Sequence, residues 1–201
     1  MHLKSSCIER FEPAVKAVQK LLEDKTGEQI LIAIDGRCAS GKSTLGFYLK
    51  DKFDANLIHM DDFFLQKHQR TSERLAEVGG NVDYERFKEE VLEPLCAGAK
   101  VEYGIFDCGT LQIKERREVE SKQITIIEGS YSGHSYFGNP YDLQIFVDID
   151  YESQLENIRE RNGEVKLKDF IERWIPKEEA YFKTFSVEEK SDLVIHWIKN
   201  K

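Results

Sequence analysis

Short runs of apolar residues recur along the chain and alternate with stretches in which apolar residues have helical spacing. The runs lie at residues 29–34, 56–60, 124–127, 143–147 and 193–197. A short apolar run bounded by turn residues is typical of a strand buried on both faces. Helical patterns cover residues 42–52, 84–97, 152–160 and 168–185. This alternation predicts an α/β fold in which helices cover both faces of a five-stranded parallel core sheet.

Two segments add to this alternation. Apolar residues with steps of three and four predict an N-terminal helix within residues 1–26, with its regular part beginning near Pro13. Residues 99–120 show short alternation and dense charge, which predicts a small hairpin inserted beside the sheet. Pro176 lies within the last helical pattern, so a kink or a break is expected there.

The composition is that of an ordinary soluble chain and narrows the classes of partner. The 201 residues suit a single domain, and 40% are hydrophobic. The net charge of −8 disfavours a general nucleic-acid binder, which needs a basic surface. No apolar run approaches the ~20 residues that span a bilayer. The N-terminal residues are too polar for a signal peptide, and the four cysteines lack paired spacing. A cytoplasmic location without nucleic-acid or membrane partners is expected, and self-association is left open.

A phosphate-binding motif follows the first predicted strand. The sequence DGRCASGKST matches G-x-x-x-x-G-K-[ST] from Gly36 to Ser43. Such a loop wraps a phosphate with backbone N–H groups, and the helix that follows directs the positive end of its dipole at the same anion. Lys42 would reach the β- and γ-phosphates, and the Ser43 hydroxyl would bind Mg²⁺. We therefore expect ATP and Mg²⁺ as cofactors, with nucleotide contacts from Gly36, Ala39, Ser40, Gly41, Lys42, Ser43 and Thr44.

Acidic residues close the next two strands. Asp61 and Asp62 follow the second strand, and Glu128 ends the third in the Walker B manner. Residues at the carboxyl ends of parallel strands line the ligand crevice. One of the adjacent aspartates could act as a base for a hydroxyl nucleophile and the other as a partner of the metal, although adjacent side chains diverge. The predicted metal site consists of Ser43, Asp61 and Glu128.

Three further residues are weaker candidates. Arg161 precedes a predicted lid at residues 161–185 and would cover the transferring phosphoryl group, but surface arginines are commonly just solvated. His134 follows the Walker B strand and could touch a substrate. Cys38 lies inside the phosphate loop, where a helix N-terminus could lower the pKa of its thiol and make it reactive.

The order of these motifs resembles the uridine kinase-like branch of the P-loop kinases, which also holds phosphoribulokinase and bacterial pantothenate kinase. The matching motifs are IAIDGRCASGKST, MDDFF, NVDYERF, IIEGSY and IFVDID with IRERN, and they span most of residues 29–163. The resemblance implies a three-layer P-loop fold with a helical lid, and transfer of the ATP γ-phosphate to an alcohol. It implies that Asp61 is the catalytic base, Lys42 and Arg161 assist transfer, and Asp83 binds acceptor hydroxyls.

The sequence departs from uridine kinases where they recognise the base. Residues 105–111 read IFDCGTL, with Phe106 in place of the usual tyrosine and no following histidine. Asn162 also replaces the aspartate that usually follows the lid arginine. A nucleoside held near Phe106 and His134 is the first expectation. A pantothenate-like alcohol, a sugar, or a nucleotide switch without an acceptor are the alternatives.

Overall fold

A computed structural model describes residues 5–197. Within them, the strands are β1 (Ile30–Gly36), β2 (Asn56–His59), β3 (Val101–Asp107), β4 (Gln112–Val119), β5 (Ile124–Glu128), β6 (Leu143–Ile149) and β7 (Leu193–Trp197). The α-helices are α1 (Ser5–Asp24), α2 (Lys42–Phe53), α3 (Ser72–Ala76), α4 (Tyr84–Phe87), α5 (Glu93–Cys96), α6 (Tyr151–Asp169), α7 (Ile175–Phe185) and α8 (Val187–Lys190). No helix of this part of the chain is long and apolar enough to cross a membrane.

Five strands form one parallel sheet in the order β2-β5-β1-β6-β7. The predicted α/β class and the five-stranded parallel core are thus confirmed. Every residue of β1 and β5 is buried, which explains why these strands read as continuous apolar runs. Because β1 lies at the centre, the loop that follows it opens at the middle of the sheet edge. Ligands bind at this kind of position in open α/β sheets.

Separate apolar clusters cover the two faces of the sheet. On one face, Phe11 and Val15 of α1 and Leu45 of α2 pack against alternate residues of β1 such as Ile32. The other face carries residues from α4 to α7, including Phe182, with Leu31 and Ala33 of β1. Alternate residues of a strand point to opposite faces, so one apolar run serves both layers. The result is the three-layer arrangement expected of the fold class.

The inserted hairpin predicted over residues 99–120 is present as β3 and β4, which pair antiparallel. Fully buried Tyr103 of β3 stacks on Phe63 at 5.3 Å between ring centroids. Phe63 ends the 3₁₀ turn Met60–Phe63, which follows β2. The hairpin therefore packs against the segment that carries Asp61.

One helix prediction needs correction, and one helix is interrupted by a glycine. Helix α1 begins at Ser5 and passes through Pro13 instead of beginning near it, because its buried apolar face extends to Phe11 on the N-terminal side of the proline. Residues 1–4 of the predicted segment lie outside the described residues. Within α6, Gly163 at φ 79° and ψ 169° interrupts the regular helix, and a second helical segment continues from there to Asp169. A π-helical turn follows at Phe170–Trp174, and Pro176 lies in the first turn of α7, where proline is tolerated.

Candidate active site

The phosphate loop connects the end of β1 to the start of α2. Gly36 has φ 133°, and a Cβ atom there would lie 2.1 Å from the carbonyl oxygen of Val147 on β6, so only glycine fits. Ala39 and Gly41 also have positive φ angles, which turn the backbone around the loop. The Nζ atom of Lys42 donates to the carbonyl oxygens of Gly36 and Arg37 at 2.7 and 2.8 Å. The lysine ammonium therefore lies over the loop that would hold the phosphates.

Glu128 joins the phosphate loop to the second strand. The Ser43 hydroxyl donates to Oε2 of Glu128 at 3.2 Å, and Nδ1 of His59 lies 2.5 Å from Oε1. His59 and Glu128 are direct neighbours in the β2–β5 pairing, so strand register brings them together. The hydrogen bond with Glu128 raises the pKa of His59. The sequence analysis did not assign His59 a role, because its partner becomes visible only once the strand order is known.

The two adjacent aspartates point in different directions. Asp61 lines the cavity beside the phosphate loop. Enclosure by the cavity walls and, second, the charge of Glu128 raise the pKa of Asp61, while Lys42 opposes the shift. Asp62 lies near Tyr103 of the hairpin instead, and burial raises its pKa. A carboxylate with a raised pKa is suited to accept a proton, and of the two only Asp61 lines the cavity, so Asp61 is the better candidate base.

The donor set suits Mg²⁺. The Ser43 hydroxyl and the carboxylates of Glu128 and Asp61 lie along one cavity wall. The described residues contain no group of three His, Cys, Asp or Glu side chains able to hold a metal. Mg²⁺ is usually bound through one or two carboxylates together with substrate phosphates rather than by an all-protein cage. The predicted metal site at Ser43, Asp61 and Glu128 thus fits a magnesium ion that arrives with a nucleotide.

One cavity of about 870 Å³ contains most of the predicted site residues. Besides those already described, its lining includes Ala39, Thr44, Phe106 and Arg161. Phe64 and Trp174 also line it, and the Phe64 ring lies 6.2 Å from Phe106 and 6.3 Å from Trp174 between centroids. The space thus has a phosphate-binding end and an aromatic wall made by the hairpin and the π-helical turn.

Arg161 lines this cavity at the end of the straight part of α6, before the kink at Gly163. Its Nε atom donates to Oδ1 of Asn162 at 2.8 Å, and its guanidinium lies 5.9 Å from the Phe170 ring. The side chain is exposed, so it is free to reach toward a phosphate. Its role in transfer stays a prediction.

Two predicted substrate residues lie away from the cavity lining. Asp83 is buried and caps α4, accepting from the backbone N–H of Arg86 at 3.1 Å and from Gln69 Nε2 at 2.8 Å. His134 is buried, and its ring is 4.7 Å from that of Tyr84. Burial lowers the pKa of His134 to about 4. Neither side chain lines this cavity, and their roles toward a substrate stay predictions.

Sequence analysis missed the buried carboxylate of Asp35. It accepts from the backbone N–H groups of Gly36, Tyr131 and Gly133 at 2.7, 3.2 and 2.9 Å, and from the Tyr181 hydroxyl at 2.7 Å. Burial is the largest influence and raises the pKa of Asp35. The indication available in the sequence was the position of Asp35 at the end of the first strand, just before the phosphate loop.

Glu178 of α7 reaches the phosphate loop from the far end of the sequence. Its Oε2 atom accepts from the backbone N–H of Cys38 at 2.9 Å, and Oε1 accepts from the Ser130 hydroxyl at 2.8 Å. No local pattern marks Glu178, since its role depends on where α7 packs.

Burial raises the pKa of the Cys38 thiol, so the expected reactivity of Cys38 is wrong.

Several solved structures with a similar fold carry the names of kinases. A possible uridine kinase from Bacillus stearothermophilus aligns with a TM-score of 0.73 at 19% identity, over 94% of this chain and 99% of that chain. D-glycerate 3-kinase from Cryptococcus neoformans aligns with a TM-score of 0.66 at 15% identity, over 94% and 93% of the two chains. No family model and no curated protein matches the sequence.

The loop from Gly36 to Ser43, between β1 and α2, has the arrangement of a P-loop, the phosphate-binding motif of a broad class of proteins. Within that class, the chain has the fold of the P-loop kinases. The resemblance read from the motifs is thus confirmed at the level of fold, while the acceptor remains to be argued from the site.

Proposed function

We propose that the protein is an ATP-dependent kinase that transfers the γ-phosphate to a hydroxyl group of a small molecule. One observation carries the proposal: Lys42, Ser43, Glu128 and Asp61 line a single cavity with room beyond the phosphate loop for a second substrate. A nucleotide switch needs only the loop and the metal site. The additional aromatic wall supports an acceptor.

Each of these residues has a role in the transfer of the γ-phosphate. Asp61 accepts the proton of the acceptor hydroxyl while the hydroxyl oxygen bonds to the γ-phosphorus of ATP. The bond between the γ-phosphorus and the oxygen that bridges it to the β-phosphorus breaks, and ADP is released. Lys42 and Arg161 place positive charge beside the phosphates. Mg²⁺, held by Ser43, Glu128 and Asp61, would supply further charge neutralisation. Positioning and charge account for most of the rate enhancement in such reactions.

The cavity wall beyond the phosphate loop indicates the kind of acceptor. The aromatic wall of Phe64, Phe106 and Trp174 suits the nucleoside expected first, since rings stack on aromatic side chains. The net charge of −8 supports a small-molecule partner over nucleic acid. The free thiols of Cys38, Cys96 and Cys108 support the proposed cytoplasmic location.

The test is release of ADP from Mg-ATP in the presence of a panel of nucleosides, pantothenate and sugars. We expect one compound to stimulate turnover strongly. Asp61→Asn should lower kcat by about 10²-fold or more, because a general base contributes on this scale. Lys42→Ala should lower turnover by orders of magnitude while the melting temperature stays near that of the wild type.

Asp54→Asn is the matched control for charge, since Asp54 is exposed at the end of α2 and its partner is Lys122. It should turn over normally. Normal turnover by Lys42→Ala or Asp61→Asn would contradict the assignment. Slow hydrolysis that no acceptor stimulates would favour a nucleotide switch instead.

A further inference from the structure

A cluster of positive charge lies at the aromatic end of the cavity. Arg70 and Arg173 both line the cavity and are half-buried. Arg70 follows the 3₁₀ turn Lys67–Gln69, and Arg173 belongs to the π-helical turn before α7. Lys177 lies one helical turn after Arg173 and donates to the carbonyl oxygen of Leu75 at 3.0 Å. None of these residues belongs to the phosphate loop or to the Walker B strand.

The two arginines lack acidic partners within residues 5–197. Neither guanidinium forms a hydrogen bond or an ion pair there, and Arg173 only stacks on the Trp174 ring at 4.5 Å. Arg37 and Arg74, by contrast, each bind carboxylates. A guanidinium on an enclosed wall gains most from a carboxylate or a phosphate, which it can bind through two parallel hydrogen bonds.

Two acidic groups on the neighbouring elements, Asp107 of the hairpin and Asp169 at the end of α6, have partners of their own. The carboxylate of Asp107 accepts from the backbone N–H and the hydroxyl of Thr110 at 2.8 and 3.0 Å. Asp169 accepts from the indole N–H of Trp174 at 2.8 Å. Burial and then the charges of Arg173 and Arg70 lower the pKa of Lys177, which is the behaviour of a lysine in a positive local field.

The arginines are also placed on the acceptor side. The segment before Arg70 is tied to the hairpin, since the backbone N–H of Lys67 donates to the carbonyl oxygen of Leu111 at 3.1 Å. Arg70 is close enough to Cys108 of the hairpin to lower the pKa of its thiol, against the larger effect of burial. The hairpin supplies the aromatic wall, so Arg70 faces the part of the cavity beyond the nucleotide phosphates.

We propose that the phosphoryl acceptor is an anionic alcohol, whose carboxylate or phosphate group is bound by Arg70 and Arg173 while its hydroxyl lies at Asp61. This inference rests on the proposed kinase function and names its substrate class. It favours the pantothenate-like and sugar-derived alternatives over a neutral nucleoside. The transferred group and the fate of the proton are unchanged, since the anionic group binds without reacting.

A binding experiment tests the anion site separately from turnover. The protein is first saturated with Mg²⁺ and a non-hydrolysable ATP analogue, so that the phosphate loop is filled, and inorganic phosphate or malonate is then titrated by calorimetry. We expect one of the two anions to bind the wild type. Arg70→Gln and Arg173→Gln should each weaken that binding about tenfold or more, the scale of a lost charged hydrogen bond.

Lys67→Gln is the matched control, because Lys67 is an exposed cation three residues before Arg70 and is not part of the cavity lining. It should bind the anion as the wild type does. The proposal is overturned if neither anion binds the nucleotide-loaded protein, or if Arg70→Gln binds as tightly as Lys67→Gln. Failure of the nucleotide analogue to bind would instead refute the kinase function itself.

A turnover experiment distinguishes the two sources of negative charge. The probes are matched pairs: pantothenate with pantothenol, D-glycerate with glycerol, and ribose 5-phosphate with ribose. We expect an anionic member to stimulate ADP release at least tenfold more than its neutral counterpart, and Arg70→Gln to raise its KM without changing the KM for ATP. Equal turnover of both members of a pair, or an effect of Arg70→Gln on ATP alone, would overturn the proposal.

Discussion

The buried ionisable side chains of this protein differ in how many hydrogen bonds they accept. Asp35 and Glu178 accept several hydrogen bonds from the segments around the phosphate loop, which offsets the loss of hydration. His134 accepts one hydrogen bond, from the backbone N–H of Tyr136 to Nδ1 at 3.1 Å, and the burial of its ring outweighs an interaction with the backbone of Val78. A histidine in that setting is neutral in the folded protein. Protonation of His134 at acidic pH should therefore destabilise the fold.

We expect the His134→Asn variant to lose part of the acid sensitivity of folding. The pKa of His134 is about 4, against an ordinary value of 6.5, so protons favour the unfolded chain. The stabilisation is complete above pH 6.5 and is lost as the pH falls toward 4, by as much as about 3 kcal/mol. Asparagine keeps an acceptor for the Tyr136 N–H group but does not titrate.

Urea unfolding between pH 7 and 4 measures this effect through the slope of stability against pH. The exposed His68 supplies the control variant His68→Asn, which should follow the wild type. An unchanged slope in His134→Asn would refute the assignment, whatever the absolute stability of the variant.

Sequence reasoning located the site residues that belong to strand ends. Lys42, Ser43 and Glu128 follow from motif and strand position, because parallel strands bring their carboxyl ends to one edge. Asp83 and His134 were assigned from resemblance and chain position, and side-chain direction there depends on tertiary packing. Arg70 and Trp174 lie in turns without a recognisable pattern. Their places in the cavity required the structure.

At the scale of elements, the apolar runs predicted the strands well, but strand order and helix continuity needed tertiary information. Glycine commonly terminates helices, and Gly163 interrupts the regular helix within α6. The second helical segment of α6 then leads into the segment that carries Phe170, Arg173 and Trp174. The kink thus helps to set where Arg173 and Trp174 meet the cavity.

We expect Gly163→Ala to impair turnover more than it impairs folding. The conformation of Gly163, φ 79° and ψ 169°, is accessible essentially only to glycine, so alanine introduces about 1–3 kcal/mol of strain. No atom lies within 4 Å of the added Cβ, so the strain lies in the backbone angles and not in a clash. We expect the backbone to relieve this strain by straightening the helix at the kink. That movement would displace Arg173 and Trp174 and lower kcat/KM about tenfold, on the scale of a modest misplacement in an active site.

The control is Gly138→Ala, at a glycine with φ 73°, open space around the added Cβ and no place in the cavity lining. Steady-state kinetics and thermal unfolding of both variants check the prediction. Equal losses of turnover in the two variants would contradict a specific role for the kink.

For the whole molecule, Asp35 connects three parts of the chain that are distant in sequence. Its carboxylate binds the start of the phosphate loop, the segment after β5 and Tyr181 of α7. Glu178 adds a second link, one helical turn before Tyr181 on the same helix. Helix α7 is therefore coupled to the phosphate loop through buried polar contacts, and a change at one should alter the other.

A double-mutant cycle between Asp35→Asn and Tyr181→Phe should measure this coupling. Removing the Tyr181 hydroxyl takes away a hydrogen bond to a charged group, so the single variant should lose about 1.5–3 kcal/mol of unfolding free energy. In the Asp35→Asn background the same change should cost clearly less, with an interaction energy within the range of about 0.5–3 kcal/mol seen for residues in contact.

Tyr103→Phe is the control, because Tyr103 is equally buried but interacts with Arg117 in the hairpin. Its effect should add to that of Asp35→Asn within about 0.5 kcal/mol, as expected for independent sites. Denaturant unfolding of the six proteins gives both interaction energies. If Tyr181→Phe is as additive as Tyr103→Phe, then α7 is merely packed beside the phosphate loop. If the effect of Tyr181→Phe depends on Asp35 while that of Tyr103→Phe does not, then the helix that carries Glu178 and the phosphate loop behave as one cooperative unit.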